Sequence, residues 1–269
     1  MDFLTGFITQ MLSTVGVIFI FGWLIAMLRR GFCALAGRGG PTILLATGIV
    51  GTPIHELSHA LMCLIFGHTI TEVKLFCPNA DDGTLGYVSH TYNTKNIYHQ
   101  IGNFFIGIAP VVLGGGVIYL LLLLLLPDVC ETVMAEISAM QGFELVDLPV
   151  ADYLRFLLSA IAAIFAPENF ESWQGWVFLV LALMIAIHTE MSSSDIRSGL
   201  KGLLFVSILL VLVDVVLYFL FPDVFFAFSD VTMSFALVLS AFLSMSVIFL
   251  LALLLVALIF RGIGMLFSR

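Results

Sequence analysis

Six stretches of this chain are almost wholly apolar: Ile8–Leu28, Thr42–Phe66, Gly102–Leu126, Trp176–Ile187 with its flanks, Gly202–Phe221 and Ser234–Phe260. A helix needs roughly 20 such residues to cross a bilayer's hydrocarbon core, and these runs reach or approach that length. A membrane barrel would show short alternating segments instead. The pattern therefore predicts an all-α polytopic membrane protein with about six transmembrane helices. Residues 69–95 break it. TITEVKLFCP and LGYVSHTYN are β-branched and aromatic, and NADDGT between them is turn chemistry. They predict a small membrane-associated β-hairpin. Three sections follow: an N-terminal span and connector over 1–41, a core over 42–200, and two C-terminal spans over 201–269.

Composition agrees. The chain is 61% hydrophobic and 10% charged, against about 45–50% and about 25% for soluble domains, and its mean hydropathy is +1.15. The net charge of −8 is no nucleic-acid signal. Most of the excess acid lies in 128–172, where Asp128, Glu131, Glu136, Glu144, Asp147, Asp152, Glu168 and Glu171 face Arg155 alone. That segment predicts an acidic external loop with an amphipathic piece near Tyr153–Phe165. Lys74 and Lys95, Arg197 and Lys201, and Arg261 and Arg269 mark cytoplasmic segments. On this orientation the second apolar run travels from outside to inside; Arg29, Arg30 and Arg38 disagree, which leaves re-entry of 42–66 or a further crossing near 153–167 open. Asp2 in place of a basic n-region makes the first apolar run a retained span rather than a signal peptide. The absence of targeting signals points to a prokaryotic plasma membrane. Cys33, Cys63, Cys77 and Cys130 show no C-x-x-C spacing and are expected to be free thiols.

The second apolar run holds PIHELSHALM. His55-Glu56-Leu57-Ser58-His59 is H-E-x-x-H, and on a helix positions i and i+4 share a face, so both imidazoles can reach one ion. Glu56, one step round, can take a proton from a metal-bound water. Imidazole ligands with a carboxylate beside them suit one catalytic Zn²⁺. A soluble helix can carry this pentapeptide by accident. Within lipid, ionisable residues are costly and line a cavity or pair, which favours the metal site.

A membrane-embedded HELSHALMCLIFGH, a β-rich loop and a span with IGIAPVVLGG together resemble the site-2 protease family of intramembrane zinc metalloproteases. The resemblance covers about residues 42–200. It implies H-E-x-x-H on one span, a membrane-associated β-loop, a small-residue-rich span and an aspartate on a later span as third zinc ligand. The usual L-D-G or N-P-D-G string around that aspartate is missing. NADDG at 79–83 comes too early and is expected to be a solvated turn. Asp195 in SSSDIRSG is the preferred third ligand, although Ser192–Ser194 could cap the following helix and make Asp195 an ordinary first-turn acid. Asp214 in VLVDVVLY, deep in the fifth span, is an alternative, as is His188 in IAIHTE as ligand or supporting partner; Glu190 is weaker. Asn103 is a candidate for hydrogen bonding a substrate backbone, with packing as its other role. His68, His90 and His99 are expected at the membrane interface, and Gly114–Gly116 with Pro110 to open the adjacent span.

The expected activity is intramembrane zinc proteolysis: peptide bonds in or near the spans of other membrane proteins, cleaved by a multi-pass enzyme resident in the lipid bilayer, as in regulated intramembrane proteolysis. Competing readings are a multi-span metal-ion transporter and a catalytically inactive scaffold. The chain shows neither an internal repeat nor matched interrupted helices of the transporter kind, and the intact Glu56 has no use in a scaffold.

Overall fold

The computed structural model describes residues 3–78, 83–140 and 150–267. Helices dominate it. They are α1 (Phe3–Met11), which continues through a π-helical turn into α2 (Val17–Ala36), α3 (Gly40–Ile65), α4 (Ile97–Leu125), α5 (Pro127–Met140), α6 (Val150–Ile164), α7 (Trp173–Ala186), α8 (Ser193–Leu220) and α9 (Pro222–Phe267). Between α3 and α4 lies an antiparallel pair, β1 (Thr69–Lys74) and β2 (Tyr87–Thr91). This is the hairpin the sequence predicts. Its register shifts between Ile70 and Glu72, and the 79–82 part of its turn falls outside the described residues.

Among the described residues, four helical stretches are long and apolar enough to cross a membrane: Gly6–Ile65, Ile97–Leu125, Ser193–Leu220 and Pro222–Gly262. The sequence pattern gives six runs. Two of those runs fall inside the 60-residue first stretch, which a 3-10 turn at Gly37–Gly39 divides. Another is the 14-residue α7, shorter than the roughly 20 residues a crossing needs. The acidic segment is also more ordered than a loop. α5 buries Val129, Val133 and Ile137, and α6 buries Phe156, Ala160 and Ile164. Each set repeats every fourth residue, the spacing of one helix face, and the two helices pack on each other. Glu144 and Asp147 lie outside the described residues.

The motif helix α3 is inverted relative to a soluble helix. It buries Gly48, Thr52, Glu56, His59 and Cys63, while Ile49, Leu57, Leu61 and Leu64 face outward. A polar inner stripe under an apolar outer one is stable where the surroundings are hydrocarbon. α8 likewise leaves Leu200, Leu204, Ile208 and Leu212 exposed.

α4 is the hub, packing against α3, α7, α8 and α9. Its approach to α8 is set at Gly107. A β-carbon there would come within 2.5 Å of the Asp195 carbonyl and 2.8 Å of the Gly199 backbone, so only glycine admits this crossing. Gly116, on the same helix, has nothing within 4 Å of its would-be β-carbon. Gly107→Ala is therefore expected to lose about 1–3 kcal/mol by overpacking, whereas Gly116→Ala should be neutral or gain up to about 1 kcal/mol of helix propensity. Unfolding of the two variants in detergent reads both; equal shifts would refute a backbone-tight crossing. Gly114 packs on Thr189, and Gly115 lies 3.4 Å, by the same measure, from the Phe242 carbonyl. These glycines serve packing where the sequence suggested opening of the span.

Candidate metal centre

One helical turn separates His55 from His59, and their Nε2 atoms lie 3.2 Å apart. Neither ring is held by its own helix. His55 Nδ1–H donates to the His188 carbonyl at 2.7 Å, and His59 Nδ1–H donates to the Ile106 carbonyl at 2.8 Å. Main-chain acceptors from the α7–α8 connection and from α4 thus fix both tautomers. Metal-ligating histidines characteristically donate their other nitrogen in this way.

Asp195 reaches the same point from the start of α8. Its Oδ1 is 3.3 Å from His59 Nε2, and its Oδ2 is 3.8 Å from His55 Nε2. The capping position and a place beside both imidazoles, alternatives at the level of sequence, coexist here. Ser192 Oγ accepts from the Asp195 amide at 3.2 Å, and the Ser192 amide donates to Asp195 Oδ2 at 2.8 Å. This reciprocal capping box satisfies two of the helix's orphan donors and holds the carboxylate toward the histidines.

The three groups fit a zinc ion. Zn–N bonds of about 2.0–2.1 Å in a tetrahedron place two ligand nitrogens about 3.3 Å apart, close to the separation between His55 and His59. With both Nδ1 atoms donating, the two Nε2 atoms turn lone pairs toward each other beside a carboxylate. A cation between them converts that repulsion into attraction. Ligand atoms of His55, His59 and Asp195 all lie within 4.8 Å of one another.

Residues 48–159 match the model of a family described as "putative zincin peptidase". The match supports a zinc metallopeptidase family. It contains His55, Glu56 and His59 and stops short of Asp195, and it does not reach the finer resemblance to site-2 proteases. No curated protein and no solved structure matches the chain.

Glu56 is buried and lines two adjoining cavities. One, of about 360 Å³, is bounded by His55, His59, Tyr87, His90 and Asp195. The other, of about 420 Å³, is bounded by Arg29, Thr52, Leu85, His188 and Glu190. Arg29 and Glu190 form an ion pair on the second cavity's wall. The chain just before β2 comes down directly on the motif helix: a β-carbon on Gly86 would lie 2.7 Å from Thr52 Cγ2 and 2.9 Å from Glu56 Cγ.

The remaining sequence candidates are placed elsewhere. The His188 ring turns to Thr47 Oγ1 at 3.0 Å, so it contributes its carbonyl to His55 and its imidazole to α3. Burial first, then the Arg29 guanidinium and His55, push that imidazole down to about 4, leaving it neutral near pH 7. Asp214 is buried in α8, with no hydrogen-bond partner for either oxygen among the described residues, and it stands outside the His55–His59–Asp195 group. Asn103 is buried between Gln100, to which its Nδ2 donates at 3.3 Å, and Ser198, whose hydroxyl donates to its Oδ1 at 3.4 Å. It braces α4 against the first turns of α8 and does not line the chamber. Ile106, Gly86 and Gly107 are contributors that sequence reading missed. The first acts through a carbonyl and the other two through absent side chains.

Proposed function

We propose that the protein is a site-2 protease-like zinc endopeptidase that hydrolyses peptide bonds in or beside the spans of other membrane proteins. In this reading His55, His59 and Asp195 hold the metal and Glu56 is the general base. The observation that carries it is the meeting of two carbonyl-oriented imidazoles with a capped carboxylate, next to Glu56, in a chamber behind an apolar helix face. His55, His59 and Asp195 would hold the zinc, which would supply Lewis acidity and bring the pKa of water to about 7.

The chain supplies the rest. Glu56 accepts the attacking water's proton and returns it to the leaving nitrogen. His188 and Ile106 hold the imidazoles through their carbonyls. A second need is access, because a substrate helix hides its carbonyls in internal hydrogen bonds. Gly86, Tyr87, Val88 and His90 line the chamber, and among the described residues the sheet has two strands, so β2 keeps an edge without a strand partner there. An unwound substrate segment pairs with that edge by β-addition and is carried past the metal. This is the chemistry of regulated intramembrane proteolysis, and multi-pass residence in a prokaryotic plasma membrane accompanies it.

The test is reconstitution of the full chain in liposomes with a single-span substrate. Cleavage should fall at least about 100-fold on zinc chelation and return with added zinc, and mass spectrometry should place the cut within or at the edge of the span. Chelator-resistant cleavage, or cuts confined to water-exposed loops, would end this reading.

A further inference from the structure

One turn beyond His59, the same helix face presents Cys63, fully buried at 0% exposure. The turn after the helix brings back His68, also buried, and strand β2 contributes His90. Ligand atoms of Cys63, His68 and His90 lie within 4.8 Å of one another. None of the three belongs to the His55–His59–Asp195 group, and they come from three different pieces of local structure.

Their orientation has a built quality. His68 Nε2–H donates to the His99 carbonyl at 2.9 Å, and the ring stacks on Tyr92 with centroids 4.7 Å apart and planes 14° apart. This makes His68 Nδ1 the inward-facing acceptor, 3.0 Å from His90 Nδ1, whose N–H donates to it; a metal ion would take that proton's place. A backbone carbonyl fixing one ring nitrogen so that the other can coordinate is again the arrangement of a metal-ligating histidine. Burial holds both His68 and His90 below the ordinary imidazole range, the direction that favours the neutral, ligating form. One sulfur and two imidazoles are donors for a borderline or soft ion.

We propose that Cys63, His68 and His90 form a second metal site, for a thiophilic ion such as Zn²⁺, that fastens strand β2 to the end of the motif helix. Binding converts the Cys63 thiol to a thiolate and releases its proton to solvent. Because His90 also lines the chamber that holds Asp195, an ion here fixes the chamber wall along which the strand edge runs. The site does not depend on the catalytic reading: either metal can be absent without the other.

The experiment loads the full-length protein in detergent with Co²⁺ and follows metal content and absorption together. A cobalt–thiolate site gives sulfur-to-cobalt charge transfer in the near ultraviolet, which a two-histidine, one-aspartate site does not. The expected result is about two ions per chain with that band present. Cys63→Ser and, separately, His90→Ala should each remove the band and lower the content to about one ion, while His59→Gln should remove the other ion and keep the band. Absence of the band in the cobalt-loaded wild-type protein overturns the proposal whether or not any variant folds. Survival of the band in Cys63→Ser also overturns it, by assigning the thiolate to another cysteine.

Discussion

Replacing Glu56 with Gln is expected to lower peptide-bond cleavage by about 10²–10⁴-fold, the usual contribution of a positioned general base, while bound zinc stays at the wild-type level. The two effects separate because Glu56 lines the chamber without belonging to the His55–His59–Asp195 group. Glutamine keeps the size of the side chain, which matters where Gly86 passes so close to Glu56 Cγ, but cannot accept the proton. Metal analysis and cleavage of a reconstituted substrate on one preparation decide it. Zinc lost along with activity would move Glu56 into the ligand set. Full activity would remove it from the chemistry.

Asp195→Asn should show the opposite split, with zinc and activity lost together. An amide in place of the carboxylate removes the negative charge beside two imidazoles, at 3.3 and 3.8 Å. Changes to groups that merely support a ligand already cost 10–100-fold in metal affinity, so loss of a ligand should cost at least about 100-fold. Asp195 also caps α8, so a fold defect must be told apart from a metal defect. Ser192→Ala does that. It removes the Ser192 Oγ acceptor of the Asp195 amide while the Ser192 amide still donates to Oδ2. The expected cost is about 0.5–2 kcal/mol of stability, with zinc retained. If Asp214→Asn, rather than Asp195→Asn, empties the site in a zinc titration, the ligand assignment is wrong.

Much of this arrangement could be read from residue order alone. The i, i+4 spacing of His55 and His59 places them together on any helix, and the strand-like composition of 69–95 stood out against its apolar surroundings. Asp195 was a weaker inference, since no residue near it declares a ligand. What brings Asp195 beside the two histidines is the α4–α8 crossing at Gly107, a long-range packing fact without a local pattern. The carbonyls of Ile106 and His188 left no trace at all, because any residue carries one. In the acidic segment the amphipathic piece near Tyr153–Phe165 foreshadows α6, while α5 is masked by Asp128, Glu131 and Glu136 set among its apolar positions.

β2 is five residues long, and this has a geometric cost for whatever pairs with it. Five residues drawn from a helix into a strand go from about 1.5 Å to about 3.3 Å of rise each, an extension of about 9 Å. A span anchored by charged flanks at both faces of the bilayer has nowhere to put that added contour. Under the proposed activity, the chains that could be processed are accordingly those with slack: a helix-breaking residue near the cut, or one end free to be drawn inward.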